Sequence, residues 1–387
     1  MAKISDILKS YRKSVNSTSV KDSTIATVTE YLDTGCYAIN RVLTGDIHKG
    51  FPRGRISLLY GESMSGKSYL AANCIADALN NKGYQFVAYV DSEAGGLFDY
   101  LEKLGVDLNR VEHIPVHSVE DATIKLLQLY DQLVSAASEW KKDPEHNEEP
   151  KVLCVIDSVG GLVSDKIVND ANKDKTAADM GANAKAKNSL FKALMMRVAE
   201  SNCPMICINH VYRNPGALFA SKILEQPGGE GLKFASHVML QMSKLLVKAG
   251  DSDFYTGNEN DDESIGFYKG NRIHAFCSKS RICRPCFEAN MYIDFATGIS
   301  KYDGLIEDAV KYGYIQEVRG GYVVPSYSDK RITYKELVKS DEIWNTFIDK
   351  FNAESIEKMK YSSSIVDEIK KSESTISDIE EITEDIE

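Results

Sequence analysis

No run in this chain approaches the eighteen consecutive apolar residues that would carry a helix across a membrane, so no membrane span is expected. The first residues lack the charged segment and apolar stretch that mark secretion. A zinc site lacks ligands. Cys283-Arg284-Pro285-Cys286 is the one cysteine pair with metal-like spacing, and no second C-x-x-C or H-x-x-x-H completes a set of four, although Cys277 lies nearby. Structural thiols are the better reading of that pair. Other cysteines, Cys154 and Cys207 among them, fall in apolar strand-like runs, which fits a reducing cytoplasm. Basic charge is not in excess either, with 46 Lys and Arg against 57 Asp and Glu. That balance argues against attraction of the whole surface to nucleic acid, so any polyanion binding must come from local features.

At 387 residues, one enlarged α/β core with appendages and two equal domains both fit the length. The octapeptide Gly61-Glu62-Ser63-Met64-Ser65-Gly66-Lys67-Ser68 fits the phosphate-loop pattern G-x-x-x-x-G-K-[ST] at every defined position. Before it, Arg55-Ile56-Ser57-Leu58-Leu59-Tyr60 reads as a short buried strand. After it, the run 69–76, opened by Tyr69, is rich in good helix formers. The loop therefore ends on a helix N-terminus, where backbone N–H groups can close around phosphate oxygens and the helix dipole favours negative charge. Lys67 then reaches the outer phosphates and Ser68 offers its hydroxyl to a metal, which implies a nucleoside triphosphate with Mg2+.

Residues 1–34 carry a short amphipathic stretch, Ile4-Ser5-Asp6-Ile7-Leu8, and then a polar Ser/Thr/Lys segment, the pattern of an arm. From about 35 to 300, apolar strand-like runs alternate with helical ones. Besides the strand before the phosphate loop, these are residues 85–90, 152–156 and 205–209. Continuous β-rich runs between helices predict a mainly parallel sheet covered on both faces, and such sheets bind ligands at the carboxyl ends of their strands. Those ends carry Asp91-Ser92-Glu93, Asp157-Ser158 and His210. Asp157 suits a second metal anchor, with capping of the next helix as the alternative. Glu93 could polarise a water for in-line attack, and His210 could hydrogen-bond the terminal phosphate. Polar residues also stand at strand ends simply because the chain is leaving the core, so spacing leaves each role open.

The phosphate loop, followed by Val90-Asp91-Ser92-Glu93, Tyr100-Leu101-Glu102-Lys103-Leu104-Gly105-Val106-Asp107, Val155-Ile156-Asp157-Ser158 and Ile208-Asn209-His210, resembles the RecA family of recombinases over about residues 35–320. His210 and the chain length look most like the UvsX branch of T-even-type bacteriophages. Bacterial members usually carry glutamine at that position, and both side chains can donate a hydrogen bond. The resemblance implies a RecA-type P-loop NTPase core with ATP as its nucleotide. It implies Glu93 as the water-activating base, Tyr100 as an aromatic that stacks on adenine and Asp157 as the metal-associated aspartate. Lys279 and Arg281, ahead of Phe287-Glu288-Ala289, would reach the nucleotide of an adjacent subunit and neutralise phosphate charge in trans, making hydrolysis depend on assembly. Phe295 matches an aromatic that can cover the neighbouring adenine, while alternation beside Tyr292 and Ile293 fits a core position equally.

DNA binding is visible mainly through the resemblance. The segment 165–188 holds Lys166, Lys173, Lys175, Lys185 and Lys187, but four aspartates dilute it and a solvated loop looks the same. Met180-Gly181 followed by Lys185 and Lys192 keeps the family's spacing from its first DNA loop into a helix, where Lys185, Asn188 and Lys192 can share a face. A second loop would run from Val211 to about Gly231, with Gly216, Phe219, Gly228 and Gly229 at matching positions and Lys233 beyond. Tyr212, Asn214 and Pro215 depart from the bacterial pattern, and Phe219 is the candidate to wedge between bases. Backbone reading gives little sequence preference, as homologous pairing needs, because identity is tested by base pairing.

Residues 302–360 read as a small packed appendage: a helix, a Gly320-Gly321 turn between strand-like flanks, and a helix containing Trp344, Phe347 and Phe351. From about 361 the chain turns to serine and acid, a composition expected to stay disordered; the resemblance implies a tail that competes with DNA phosphates, and a solubilising tail fits equally. The expected organisation is a protomer-docking arm (1–34), an ATPase and DNA-binding core (35–301), the appendage (302–360) and an acidic tail (361–387). The expected function is ATP-dependent recombination: a helical homo-oligomeric filament on single-stranded DNA, pairing with homologous duplex DNA and served by mediator and single-strand-binding proteins. It would act in the cytoplasm, that of the host cell if phage-encoded. A RecA-core hexameric helicase and a signalling or scaffold ATPase of the same fold are the alternatives.

Overall fold

The computed structural model describes residues 4–15, 17–19, 23, 25–96, 98–171, 180–211, 229–245, 255–256, 267–268 and 270–361. Helix α1 (Ile4–Val15) buries none of its residues. Strand β1 (Tyr31–Leu32), helix α2 (Tyr37–Thr44) and strand β2 (Phe51–Pro52) follow, the two strands pairing antiparallel. The core then alternates: β3 (Ile56–Gly61), α3 (Lys67–Ala76), β4 (Phe86–Asp91), α4 (Phe98–Lys103), β5 (Val111–Pro115), α5 (Val119–Lys142), β6 (Val152–Asp157), α6 (Asp165–Ala171), α7 (Met180–Ser201), β7 (Met205–His210), α8 (Glu230–Ala235) and β8 (Ser236–Leu245). A short pair, β9 (Tyr255–Thr256) with β10 (Phe267–Tyr268), precedes β11 (Gly270–Ser280), β12 (Glu288–Asp294) and β13 (Gly298–Ile299).

Among the described residues, nine strands make one sheet in the order β13-β12-β11-β8-β3-β7-β6-β4-β5. From β8 to β5 neighbours run parallel, as helical crossovers allow, and β11, β12 and β13 extend the sheet antiparallel. The mainly parallel sheet flanked by helices is the architecture expected from the alternating runs.

Successive strand residues point to opposite faces, and each face has its own apolar layer. Leu153, Val155, Ile206 and Ile208 pack with Ile39 and Leu43 of α2 and Leu70 and Ile75 of α3. Cys154, Ile156, Met205 and Cys207 pack with Leu126 and Tyr130 of α5 and Phe191 and Leu194 of α7. Covering on both sides is why these strands read as unbroken apolar runs. Register then decides what meets at the carboxyl edge: Gly61 lies opposite His210, and Asp91 opposite Asp157.

The C-terminal segment comprises α9 (Ile306–Lys311), the antiparallel strands β14 (Gln316–Val318), β15 (Gly321–Val324) and β16 (Ser328–Ile332), and helices α10 (Tyr334–Leu337), α11 (Asp341–Asn345) and α12 (Ile348–Met359). Its side chains, including Trp344, Phe347 and Phe351, join the apolar layer of α2 and α3. The single helix expected around them is two, with Phe347 in the break. The Trp344 indole N–H donates to the Leu337 carbonyl at 2.8 Å, which fixes α11 on α10 and leaves α12 its own direction. Buried Arg41 of α2 stitches this segment to the core, reaching Asp308 at 2.6 Å and both Ser355 and Tyr312 at 2.9 Å. Among the described residues, no helix is long and apolar enough to cross a membrane. The expected acidic tail lies outside the described residues, apart from its first residue, Tyr361.

Candidate functional site

The phosphate loop springs from β3 and closes on α3 through Gly66, which caps the helix in a left-handed conformation at φ 84°. That left-handed turn favours glycine, and a Cβ there would also push the tip of Ile293 aside, 2.3 Å from its Cδ1. Lys67 is buried, and its ammonium donates to the Gly61 carbonyl at 3.1 Å and the Glu62 carbonyl at 2.7 Å. Burial pulls its pKa down to about 8. Ser68 donates its hydroxyl to Asp157 Oδ2 at 3.0 Å, and the Tyr89 phenol donates to the same oxygen at 2.9 Å. Burial raises the Asp157 pKa, with these two donations opposing it.

Ser68 and Asp157 thus present adjacent hard oxygens. Among the described residues no group of three or more His, Cys, Asp or Glu could hold a metal. The pair fits Mg2+, which binds through one or two protein oxygens and completes its shell with substrate phosphates and water.

Asp91, at the end of β4, aims the next turn back at the loop. Its Oδ1 accepts the N–H groups of Glu93 at 2.9 Å and Ala94 at 2.8 Å, while Oδ2 lies 3.0 Å from His113 Nε2. Glu93 consequently meets two other strand ends: its Oε1 accepts the Ser158 hydroxyl and lies 2.8 Å from His210 Nε2. Ser63, Met64, Ser65, Gly66, Lys67, Ser68, Tyr69, Glu93, Asp157, His210 and Phe295 all line one cavity of about 320 Å³. Phe295 sits in the turn past β12 and is 46 % exposed, so it is no core residue. Tyr100 stands behind Tyr69, ring centroids 4.6 Å apart, with Asn73 Nδ2 donating to its hydroxyl at 3.2 Å.

Residues 2–300 match the sequence model of the RecA N-terminal domain. The chain belongs to the RecA family. It is 27% identical over 306 residues to the Recombination and repair protein of Enterobacteria phage T4, covering 79% of this chain and 69% of that relative. Against Protein RecA of Clostridium tetani it is 27% identical over 334 residues, 84% of this chain and 83% of the relative. Protein RecA of Aquifex aeolicus is 30% identical over 312 residues, 80% and 78% of the two chains. RecA-family members are ATP-dependent recombinases, DNA-dependent ATPases that form filaments on DNA and exchange strands, and this chain is one of them.

Within a single RecA-family protomer, Lys279 and Arg281 stay away from the cavity. The Lys279 ammonium donates to the Lys233 carbonyl and Arg281 Nη2 to the Phe234 carbonyl at 3.1 Å, holding the end of α8. Burial, with Arg281 adding to it, lowers the Lys279 pKa to about 8. Met180 opens α7, and Gly181 and Lys185 line a second cavity of about 630 Å³ with Lys166, Ser164 and Glu120. Lys192 is exposed further along α7. Asn188 does not stand with these lysines in water: half-buried, it accepts the Gly231 N–H at 2.6 Å. Gly229 caps α8 at φ 80°, and Lys233 pairs with Glu230 at 2.8 Å. Gly216, Phe219 and Gly228 lie outside the described residues.

Tyr89, Asp91, His113 and Ser158 received no role from sequence reasoning, yet Tyr89 touches Asp157, Asp91 and Ser158 touch Glu93, and His113 holds Asp91. A period-two reading of β4 would have set Tyr89 on the face of Asp91, and the polar tip of a tyrosine in an apolar run was the available signal.

Proposed function

We propose that this RecA-family chain binds Mg2+-ATP at the cavity between the ends of β3, β4, β6 and β7, on single-stranded DNA that lies along α7 and the segment 211–231. Lys67 and the loop N–H groups hold the outer phosphates, and Ser68 and Asp157 hold the metal. When bound, Mg2+ supplies charge neutralisation between those phosphates. Glu93 orients the attacking water and takes its proton, for which it must give up a present partner. His210 is that partner: Nε2 turns from Glu93 to the terminal phosphate, freeing the base only when triphosphate is there. The 2.8 Å contact between Glu93 and His210 carries this reading, because Val211 and the segment assigned to DNA begin at the very next residue.

Lys279 and Arg281 act on the nucleotide of the adjacent protomer, Tyr100 and Phe295 cover adenine, and α1 docks on the next core. Homologous duplex DNA is the second substrate, mediator and single-strand-binding proteins are the partners, and the host-cell cytoplasm is the site of action for a phage-encoded chain. Family membership disfavours the hexameric helicase and the scaffold ATPase.

The test joins two readouts. Single strands should stimulate ATP hydrolysis and joint molecules should form with homologous duplex. Glu93→Gln should keep nucleotide binding while turnover falls about 10²–10⁴-fold, the range a general base contributes. Full turnover in Glu93→Gln would remove the glutamate from the mechanism.

A further inference from the structure

Lysine side chains seldom lie wholly out of water, yet Lys187 of α7 is 1 % exposed. Its ammonium donates to the Val159 carbonyl at 2.7 Å, and among the described residues no carboxylate pairs with it. Burial lowers its pKa to about 8. Unlike Lys67, it faces no phosphate-binding loop, so nucleotide binding gives this buried charge no use.

Its position suggests one. Val159 follows Ser158, whose hydroxyl donates to Glu93, and the Val159 N–H donates to the Ile208 carbonyl of β7 at 2.9 Å. The same helix grips this segment once more, Asn183 Oδ1 accepting the Ser164 N–H at 3.1 Å, while Asn188 takes the Gly231 N–H of α8. Helix α7 therefore presents Lys185 and Lys192 to solvent on one side and holds the turn after β6 on the other.

We propose that Lys187 is a positioning residue that transmits DNA occupancy on α7 to Glu93 through Val159 and Ser158. The proposal rests on the reading of α7 as a DNA-facing helix. Phosphates drawing on Lys185 and Lys192 shift or stiffen α7. A buried ammonium cannot exchange its carbonyl for water, so the turn after β6 moves with the helix. Ser158 rides on that turn and sets the hydroxyl that Glu93 accepts, so strand binding alters the alignment of the base.

Lys187→Met keeps the side chain's length and removes its donor. In the full chain, titrated with an oligothymidylate, the variant should keep hydrolysis without DNA within about twofold and bind the strand as wild type does. Its stimulation by DNA should fall by about tenfold, a typical coupling between sites. A second measurement needs no variant: in wild type without nucleotide, the oligothymidylate should slow backbone hydrogen exchange across residues 158–161. Full stimulation in Lys187→Met, or exchange at 158–161 indifferent to the strand, overturns the proposal alone. A wild-type ATPase indifferent to DNA overturns the reading of α7 and the proposal with it.

Discussion

Lys67 is 5 % exposed, and burial loosens its proton against the hold of two carbonyls of its own loop. With its pKa lowered to about 8, the folded chain binds fewer protons here than an unfolded lysine would. The resulting penalty is full below pH 8 and relieved as pH rises toward the ordinary lysine value. Phosphate oxygens act the other way and favour the ammonium. ATP binding should therefore take up a proton above about pH 8 and little below about pH 7, and affinity should fall as pH climbs through 8. Calorimetry in buffers of different ionisation enthalpy measures that uptake, and none at pH 9 would contradict the burial argument. Tyr89 permits a second prediction at this scale. Tyr89→Phe removes one of the two hydroxyls donating to Asp157 Oδ2, a bond to a charged acceptor worth about 1.5–3 kcal/mol. Turnover at limiting Mg2+ should drop about tenfold and recover partly at high Mg2+, whereas an Mg2+ requirement identical to wild type would deny Tyr89 this role.

Among elements, α2 and the C-terminal segment are joined by a charge that has no route to water. Arg41 is 3 % exposed, and burial raises the pKa of its partner Asp308 while the guanidinium lowers it. Arg41→Ala leaves that half-buried carboxylate without its partner and vacates a buried site, which should cost about 2–3 kcal/mol in urea unfolding. The companion Arg41→Met with Asp308→Leu should recover most of the loss, since no charge is then stranded. A loss under 1 kcal/mol would mean the segment 302–360 holds its place by apolar packing alone. The strands most legible in sequence were of a particular kind: β3, β4, β6 and β7 lie inside a sheet covered on both faces and end within a residue or two of where their apolar runs end. Edge strand β5 was invisible because Val111-Glu112-His113-Ile114-Pro115 is largely exposed and carries no clean period. The placement of Glu93, Asp157 and His210 at strand ends was readable for the same reason as the strands. Their mutual contacts were not, because those depend on registers such as Asp91 opposite Asp157, set by pairing across dozens of residues. The same distance in sequence hid the hold of Asp91 on His113 and of Ser158 on Glu93.

For the whole molecule, the telling fact is that Lys279 and Arg281 grip the end of α8 beside the largely exposed Phe234, away from the cavity of their own chain. If they act across an interface, then Glu93 and Arg281 of one working site come from different copies, and two dead variants should cure each other. Glu93→Gln alone lacks the base at every interface, and Arg281→Ala alone lacks the trans cation at every interface. In an equal mixture that assembles at random, an Arg281→Ala protomer supplies an intact Glu93 to half the interfaces. A Glu93→Gln protomer supplies an intact Arg281 to half of those, so about one quarter of the sites are whole. DNA-stimulated hydrolysis by the mixture should thus recover toward about a quarter of the wild-type rate, although each variant alone is nearly inactive. The recovery should vanish on dilution below the assembly concentration, because the charge that stabilises the developing phosphate then has no neighbour to come from. A mixture no more active than the average of its parts, at concentrations where filaments are seen, would place Arg281 in the service of its own chain and leave assembly without a catalytic purpose.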